Sequence, residues 1–279
     1  MAELRIYGVQ SFLFSAAVML GACSGSSSHG NQGGQGGSGL ADGGTPSGLG
    51  GSGGAKCTDP VTASATACVT VVATGSPGLI DDLSDGDHVT LTNDGRHGYW
   101  FTFNDGTGTE TPVPYSKSRV PFAPTGGKAC ASGSGFTSWG ADMGVSLNQP
   151  PGFDPACHYD ASAYSGVTFM LSGAVQSGSL RFFVTTASTT AVADGGTCPC
   201  TATCNDHYTI SLDAPTATPR KVIVDFAQLR QRGWGTAVTW NPAEVLTLVW
   251  QIDTPSSQGT NAGASANFTN LCVDDLEFF

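Results

Sequence analysis

The pattern that most constrains this chain is the alternation of apolar side chains along short, punctuated segments. In "YSGVTFMLSG" Val167, Phe169 and Leu171 point one way, with Thr168 and Met170 opposite. In "SLRFFVTTA" Leu180, Phe182 and Val184 oppose Arg181, Phe183 and Thr185, and in "RKVIVDFAQL" Val222, Val224 and Phe226 oppose Ile223 and Asp225. A period of two belongs to the β-strand, whose successive side chains leave opposite faces. Other segments of similar length, "ACVTVVAT", "DHVTLTN", "GYWFTFN", "HYTISLD", "EVLTLVWQID" and "ANFTNLCVDDLEFF", are rich in Val, Thr and aromatic residues and bounded by Gly, Pro, Asn or Asp. Helical periodicity is nearly absent. Many short antiparallel strands bury their apolar faces by closing two sheets on each other, so the expected fold is all-β, a two-sheet antiparallel sandwich of jelly-roll type.

That region occupies residues 57–279 and is expected to be one domain. Residues 1–22 precede it with Arg5 and an apolar run from Phe12 to Ala22, too short to span a bilayer as a mature helix, and read as an export signal. Leu20-Gly21-Ala22-Cys23 resembles the lipobox of bacterial lipoproteins, which implies that Cys23 is acylated and becomes the first residue of the mature protein. The alternatives are an unlipidated signal peptide or a first buried helix. Residues 23–56 are nearly all Gly, Ser, Asn, Gln and Thr, a composition that cannot offset the entropy of ordering, and read as a linker. As a Gly/Ser coil of roughly 30 residues it would reach on the order of 30 Å. The expected location is a bacterial outer membrane or cell surface, with the lipid as the only membrane contact. Two glycine-rich matches inside the linker, Gly34–Gly39 to a dinucleotide fingerprint and Gly50–Gly54 to a nucleophile elbow, neither follow a strand nor open a helix, and composition alone accounts for them.

The formal net charge of −11, with only 11 Lys plus Arg, argues against nucleic acid as a partner. With Cys23 set aside, the remaining cysteines are even in number. Cys57, Cys68, Cys130, Cys157, Cys198, Cys200, Cys204 and Cys272 are, in an exported chain, most simply all disulfide-bonded. Cys57 with Cys68, and Cys130 with Cys157, are candidate local pairs; the connections of the other four stay open. Cys198, Cys200, Cys204 and His207 in "CPCTATCNDH" also offer a zinc set, but the spacing departs from the usual paired knuckles and an oxidised thiol cannot ligate.

In order along the chain, "LIDDLSDGD", "YSGVTFMLSG", "SLRFFVTT", "VIVDFAQLRQRGWG" and "LCVDDLEFF" resemble the galactose-binding-like β-sandwich modules related to family 11 carbohydrate-binding modules, from about Leu79 to Phe279. The resemblance implies noncatalytic binding of a polysaccharide or oligosaccharide, by a protein expected to act as a monomer. It also implies a structural calcium bridging the first and last strands, for which Asp81, Asp82, Asp274 and Asp275 stand at the corresponding places; hard oxygen ligands suit that ion. Asp81 and Asp82 can equally be turn residues, and Asp274 and Asp275 strand-end acids.

Sugar recognition needs flat aromatic faces with planar polar groups beside them. The candidates are Tyr99, Trp139, Phe183, Trp234 and Trp250, with Arg181, Asp225 and Gln251 as polar partners. Arg181, Phe183 and Asp225 share the outward face of their strands, and if that sheet is the concave one they would line the cleft used by the modules the chain resembles. Trp234, in "RGWGT", reads more naturally as a packing residue, and Trp250 lies in an apolar run typical of a buried strand.

Catalysis is the rival class. A glycoside hydrolase needs two placed carboxyls, whereas Glu110, Glu244 and Glu277 are the only glutamates of the domain. His88, His97, His158 and His207 are scattered, with no serine in an elbow context. A third class, a structural or protein-interaction lipoprotein, differs from sugar binding in one observable: a glycan-binding sandwich presents an open sheet face with two or more exposed aromatics beside charged planar groups.

Overall fold

The computed structural model of the protein describes residues 69–115, 122–149, 156–255 and 264–279. The expected signal, the linker, Cys23, Cys57 and Cys68 lie outside the described residues. The described strands are β1 (Val71–Val72), β2 (Leu79–Asp81), β3 (Trp100–Asn104), β4 (Thr109–Thr111), β5 (Ala129–Phe136), β6 (Gly140–Ser146), β7 (Tyr159–Asp160), β8 (Gly166–Ser177), β9 (Ser179–Thr186), β10 (Tyr208–Ser211), β11 (Arg220–Asp225), β12 (Val245–Asp253) and β13 (Ala266–Phe278). They form two sheets packed as a sandwich, with short 3-10 turns as the described helical structure.

Sheet A runs β10-β9-β12-β6-β3, with β7 against the start of β12 and β1 parallel to β7. Sheet B runs β11-β8-β13-β5-β4, with β2 added beside β13. The longest strands sit centrally. β12, hydrophobic through Val245, Leu246, Leu248, Val249 and Trp250, is buried between β9 and β6. β13 lies between β8 and β5 and bends through register shifts near Asn270 and Asp275, whose φ values of 46° and 47° are left-handed backbone that Asn and Asp tolerate.

The alternation read from the sequence sets the core. Val167, Phe169 and Leu171 of β8, Leu180, Phe182 and Val184 of β9, and Val222 and Val224 of β11 are buried, while Ile223 is 64% exposed. Trp250 joins the layers. It stacks on Trp100 at 5.9 Å and takes Phe169, from the other sheet, edge-on at 5.0 Å and Phe182 at 5.4 Å. Trp250 is therefore a core residue and not a sugar platform, because its position on β12 points it between the sheets.

A polar cluster ties the sheets together near the start of the described chain. The fully buried Arg96 donates from Nη1 to Tyr159 Oη of β7 at 2.9 Å and from Nη2 to the carbonyls of Pro77 and Leu79 at 3.0 and 2.6 Å. Its guanidinium also lies 5.9 Å from the ring centres of both Tyr159 and Phe278, the latter on β13. Asp94, 3.7 Å from Arg96, completes the cluster. Burial opposes its charge, but hydrogen bonds from Thr74, Tyr164 and Tyr159 outweigh that and hold its carboxyl at about 2.

The disulfides correct one expected pair. Cys130 bonds Cys272, which faces it in register across the β5–β13 ladder, rather than Cys157. Cys198 bonds Cys204, and Cys157 and Cys200 are disulfide-bonded as well, so the three thiolates of a zinc set do not exist in this state.

Trp250 yields a direct test of the core. Trp250→Ala should cost about 3–5 kcal/mol in chemical denaturation. Because the indole Nε1 has no hydrogen-bond partner, Trp250→Phe should cost only about 1–2 kcal/mol.

Candidate ligand-binding face

With Trp100, Met143, Trp250 and Phe182 turned inward, their strand neighbours face outward from sheet A. Register places these neighbours in rows across the sheet. Phe103 lies opposite Asp142, Asp142 opposite Gln251, and Gln251 opposite Arg181, so one row crosses β3, β6, β12 and β9. In the next row Phe101 faces Gly144, Gly144 faces Val249, and Val249 faces Phe183.

The β3 end of these rows is aromatic. Tyr99, Phe101 and Phe103 alternate with Trp100 and Thr102, which are buried. Phe103 is 45% exposed and stacks with the half-buried Trp139 at 6.0 Å and 13°. Tyr99 lies 5.8 Å from Tyr115. Gly144 lets the Phe101 ring lie against β6, since a Cβ there would come within 2.5 Å of Phe101 Cζ.

The centre of the first row is charged and planar. Arg181 donates from Nη2 to Gln251 Oε1 at 2.6 Å, and its Nε lies 3.1 Å from Asp253 Oδ1. Gln251 Nε2 donates to Asp253 Oδ1 at 3.0 Å and to the Trp139 carbonyl at 3.2 Å. Arg232, from the segment after β11, donates to Asp253 Oδ2 at 3.3 Å. Asp253 thus holds two arginines, and Gln251 links that pair to the aromatic end.

Asp142 stands apart from this network. It sits half-buried between Phe103 and Gln251 in the row. Its Oδ1 is buried without a hydrogen-bond partner. Burial pushes its carboxyl up to about 8, and the nearby Arg181 charge offsets only part of that. At neutral pH the group is mostly a protonated acid, able both to donate and to accept.

Of the residues singled out by sequence, Arg181, Gln251 and Trp139 come together on this face, and Tyr99 lies on the same side of the sheet, beside Tyr115. Phe183 also points outward but is covered: His207 stacks on it at 5.3 Å and 7°, and Arg181 lies over its ring at 5.2 Å. Burial and the Arg181 charge push the His207 imidazole down to about 3, and Thr189 Oγ1 is 2.8 Å from its Nδ1, so this histidine is a neutral lid. Asp225 belongs elsewhere. Its strand β11 lies in sheet B, and its carboxylate accepts from Ala227 N at 2.7 Å, capping the turn Phe226–Gln228. Phe101, Phe103, Asp142, Asp253 and Arg232 are additional members; the alternation of "GYWFTFN" already carries the first two.

The four carboxylates of the expected calcium set do not fit a cage. Asp81 turns into the core, accepting from Trp100 Nε1 and Leu83 N, both at 2.8 Å, and burial pushes it up to about 6. Asp82 is engaged by Ser84, and Asp274 Oδ1 accepts from Asp275 N. Among the described residues no group of three or more His, Cys, Asp or Glu side chains is placed to hold a metal. Two of the three glutamates weighed for catalysis have local partners as well: Glu110 accepts from Asn104 and Glu244 from Asn241. A recess of about 480 Å³ lies on sheet B, lined by residues such as Thr109, Ser132, Gln176 and Asn267, and its aromatic residue, Phe268, is buried.

No protein-family model matches the chain, and no curated protein matches it. Solved structures are similar to it at low identity. The family 11 carbohydrate-binding module of the cellulosomal cellulase Lic26A-Cel5E of Clostridium thermocellum aligns with a TM-score of 0.41 at 12% identity, over 72% of this chain and 92% of that one. A family 11 module from Clostridium thermocellum in complex with a β-1,3-1,4-mixed-linked tetrasaccharide gives 0.35 at 12%, over 70% and 94%. TmCBM61 in complex with β-1,4-galactotriose gives 0.24 at 10%, over 64% and 87%.

Asp142 has a consequence for stability. A carboxyl whose folded pKa of about 8 exceeds its ordinary 3.8 stabilises the fold fully below pH 3.8, and that contribution is lost as pH rises towards 8. The thermal midpoint should therefore fall between pH 5 and 8.5, and Asp142→Asn should flatten the fall. An unchanged slope in the variant, measured by circular dichroism, would contradict the assignment.

Proposed function

We propose that this protein binds carbohydrate without transforming it, on the outer face of sheet A. The observation that carries the reading is the row in which Phe103 and Trp139, stacked and reachable, stand beside Gln251 and Arg181. Flat rings pack against the apolar faces of sugar rings, and planar amide and guanidinium groups bracket vicinal hydroxyls. Such a site stacks and hydrogen-bonds its ligand.

The module is further proposed to be exported and held to a bacterial membrane by a lipid on Cys23, with residues 23–56 as its tether. The lipobox-like Leu20-Gly21-Ala22-Cys23 supports this, and so do the disulfides, which belong to oxidising compartments. In a bacterial host, metabolic labelling with a palmitate analogue should mark the full-length protein, and Cys23→Ala should abolish the label and release the protein from the membrane fraction. Labelling that survives the substitution would refute the anchor.

Affinity electrophoresis through β-glucan, mannan and xylan tests the binding. The protein should be retarded by at least one of them. Arg181→Ala should weaken that retardation by roughly 10- to 100-fold in affinity, the loss expected for charged hydrogen bonds, and Trp139→Ala by about 3- to 10-fold. Unhindered migration through all three would favour a surface scaffold instead.

A further inference from the structure

Residues 231–236 follow no strand, yet they are fixed by an unusually complete set of hydrogen bonds. Asp206, buried and just before β10, accepts from three backbone amides of this segment: Arg232 N at 2.9 Å to Oδ1, and Gly233 N and Gly235 N at 2.8 and 3.1 Å to Oδ2. Gln231 reinforces the hold, donating to the carbonyls of Asp206 and Thr236 and accepting from Val238 N. Thr236 pairs with Thr203 in both directions, at 2.8 and 3.0 Å, and so docks the segment on the loop closed by Cys198–Cys204. Glycine is required at two points: Gly233 has φ +87°, and a Cβ on Gly235 would lie 2.4 Å from Asp206 Cβ.

All this order serves a side chain that remains in solvent. Trp234, at the tip between the two glycines, is 45% exposed. The expectation that it packs against the core therefore does not hold. An exposed indole gains little from hydrophobic burial, so its rigid presentation needs another reason. The adjacent Arg232 ties the loop to Asp253, which also holds Arg181 in the candidate face. The charged row thus has an aromatic pair at its β3 end and a preorganised aromatic loop at its β9 end.

We infer that Trp234 is a second stacking platform of the same site, and that the site takes an extended oligosaccharide lying across the strands. This rests on the proposed carbohydrate reading and deepens it. From β3 to β9 there are three strand spacings, roughly 14 Å, a span for several linked sugar rings. Short ligands rest on Phe103 and Trp139 and are bracketed by Gln251 and Arg181; longer ones continue past Arg232 onto Trp234. The loop is fixed before binding, so stacking there incurs little ordering entropy.

The test titrates the folded, disulfide-bonded domain calorimetrically with β-1,3-1,4-gluco-, manno- and xylo-oligosaccharides of two and six units. For the series that binds, Trp234→Ala should leave the two-unit affinity unchanged within about twofold and weaken the six-unit affinity by roughly five- to tenfold, while Trp234→Phe keeps most of it. Asp206→Asn, which loosens the loop but retains the indole, should weaken the longer ligand selectively as well. Ligand-induced change in tryptophan fluorescence should shrink in Trp234→Phe for the long ligand only. If Trp234→Ala binds both lengths as the parent does, while Arg181→Ala loses both, the platform is refuted and the site stands. If the parent binds none of the six ligands, the site and the platform fall together.

Discussion

The contact of Trp250 with Trp100, Phe182 and Phe169 is the constraint on which the remaining geometry depends. It brings side chains from three strands of one sheet against a strand of the other, in an interior where rings pack as densely as in a crystal. Because strand side chains alternate, sending Trp250 inward sends Gln251 outward; sending Phe182 inward does the same for Arg181, and Trp100 and Thr102 do so for Phe101 and Phe103. A slip of one residue in β12 or β9 would bury an amide or a guanidinium and expose a core ring. The candidate face is thus the obligatory reverse side of the core.

That reverse side combines satisfied and unsatisfied polar groups in a definite order. Arg181, Gln251, Asp253 and Arg232 engage one another, which fixes their planes and removes the cost of leaving charges unpaired in a crowded setting. Asp142 Oδ1 lies beside them, buried and without a hydrogen-bond partner. The Arg96–Asp94 cluster, by contrast, lies fully inside and serves the junction of the sheets. Two groups of similar chemistry differ in whether a partner from solution can reach them.

Local pattern made the strands and their faces readable in advance. The alternations of β8, β9 and β11 needed only the period of two, and Phe101 and Phe103 could have been read the same way from "GYWFTFN". Which sheet a strand joins is a different kind of information, because it depends on long-range pairing. Asp225 and Arg181 share an outward orientation on their own strands, but β11 pairs with β8 whereas β9 pairs with β12, so they face away from each other. Phe183 was lost as a platform for the same reason: β10 pairs with β9, and His207 just before β10 folds over its ring. Cys130 found its partner 142 residues away, across a ladder no spacing rule reveals. Trp234 depended on Asp206, whose three backbone contacts belong to a loop rather than to a periodic element.

β13 has a role that its place in the chain order sharpens. It pairs with β2, β5 and β8, all of which come earlier in the chain. Without residues 266–278 the β11–β8 and β4–β5 pairs have no common neighbour, so sheet B is left in separate pieces. Residues 266–278 are therefore the keystone that joins those pieces into one layer.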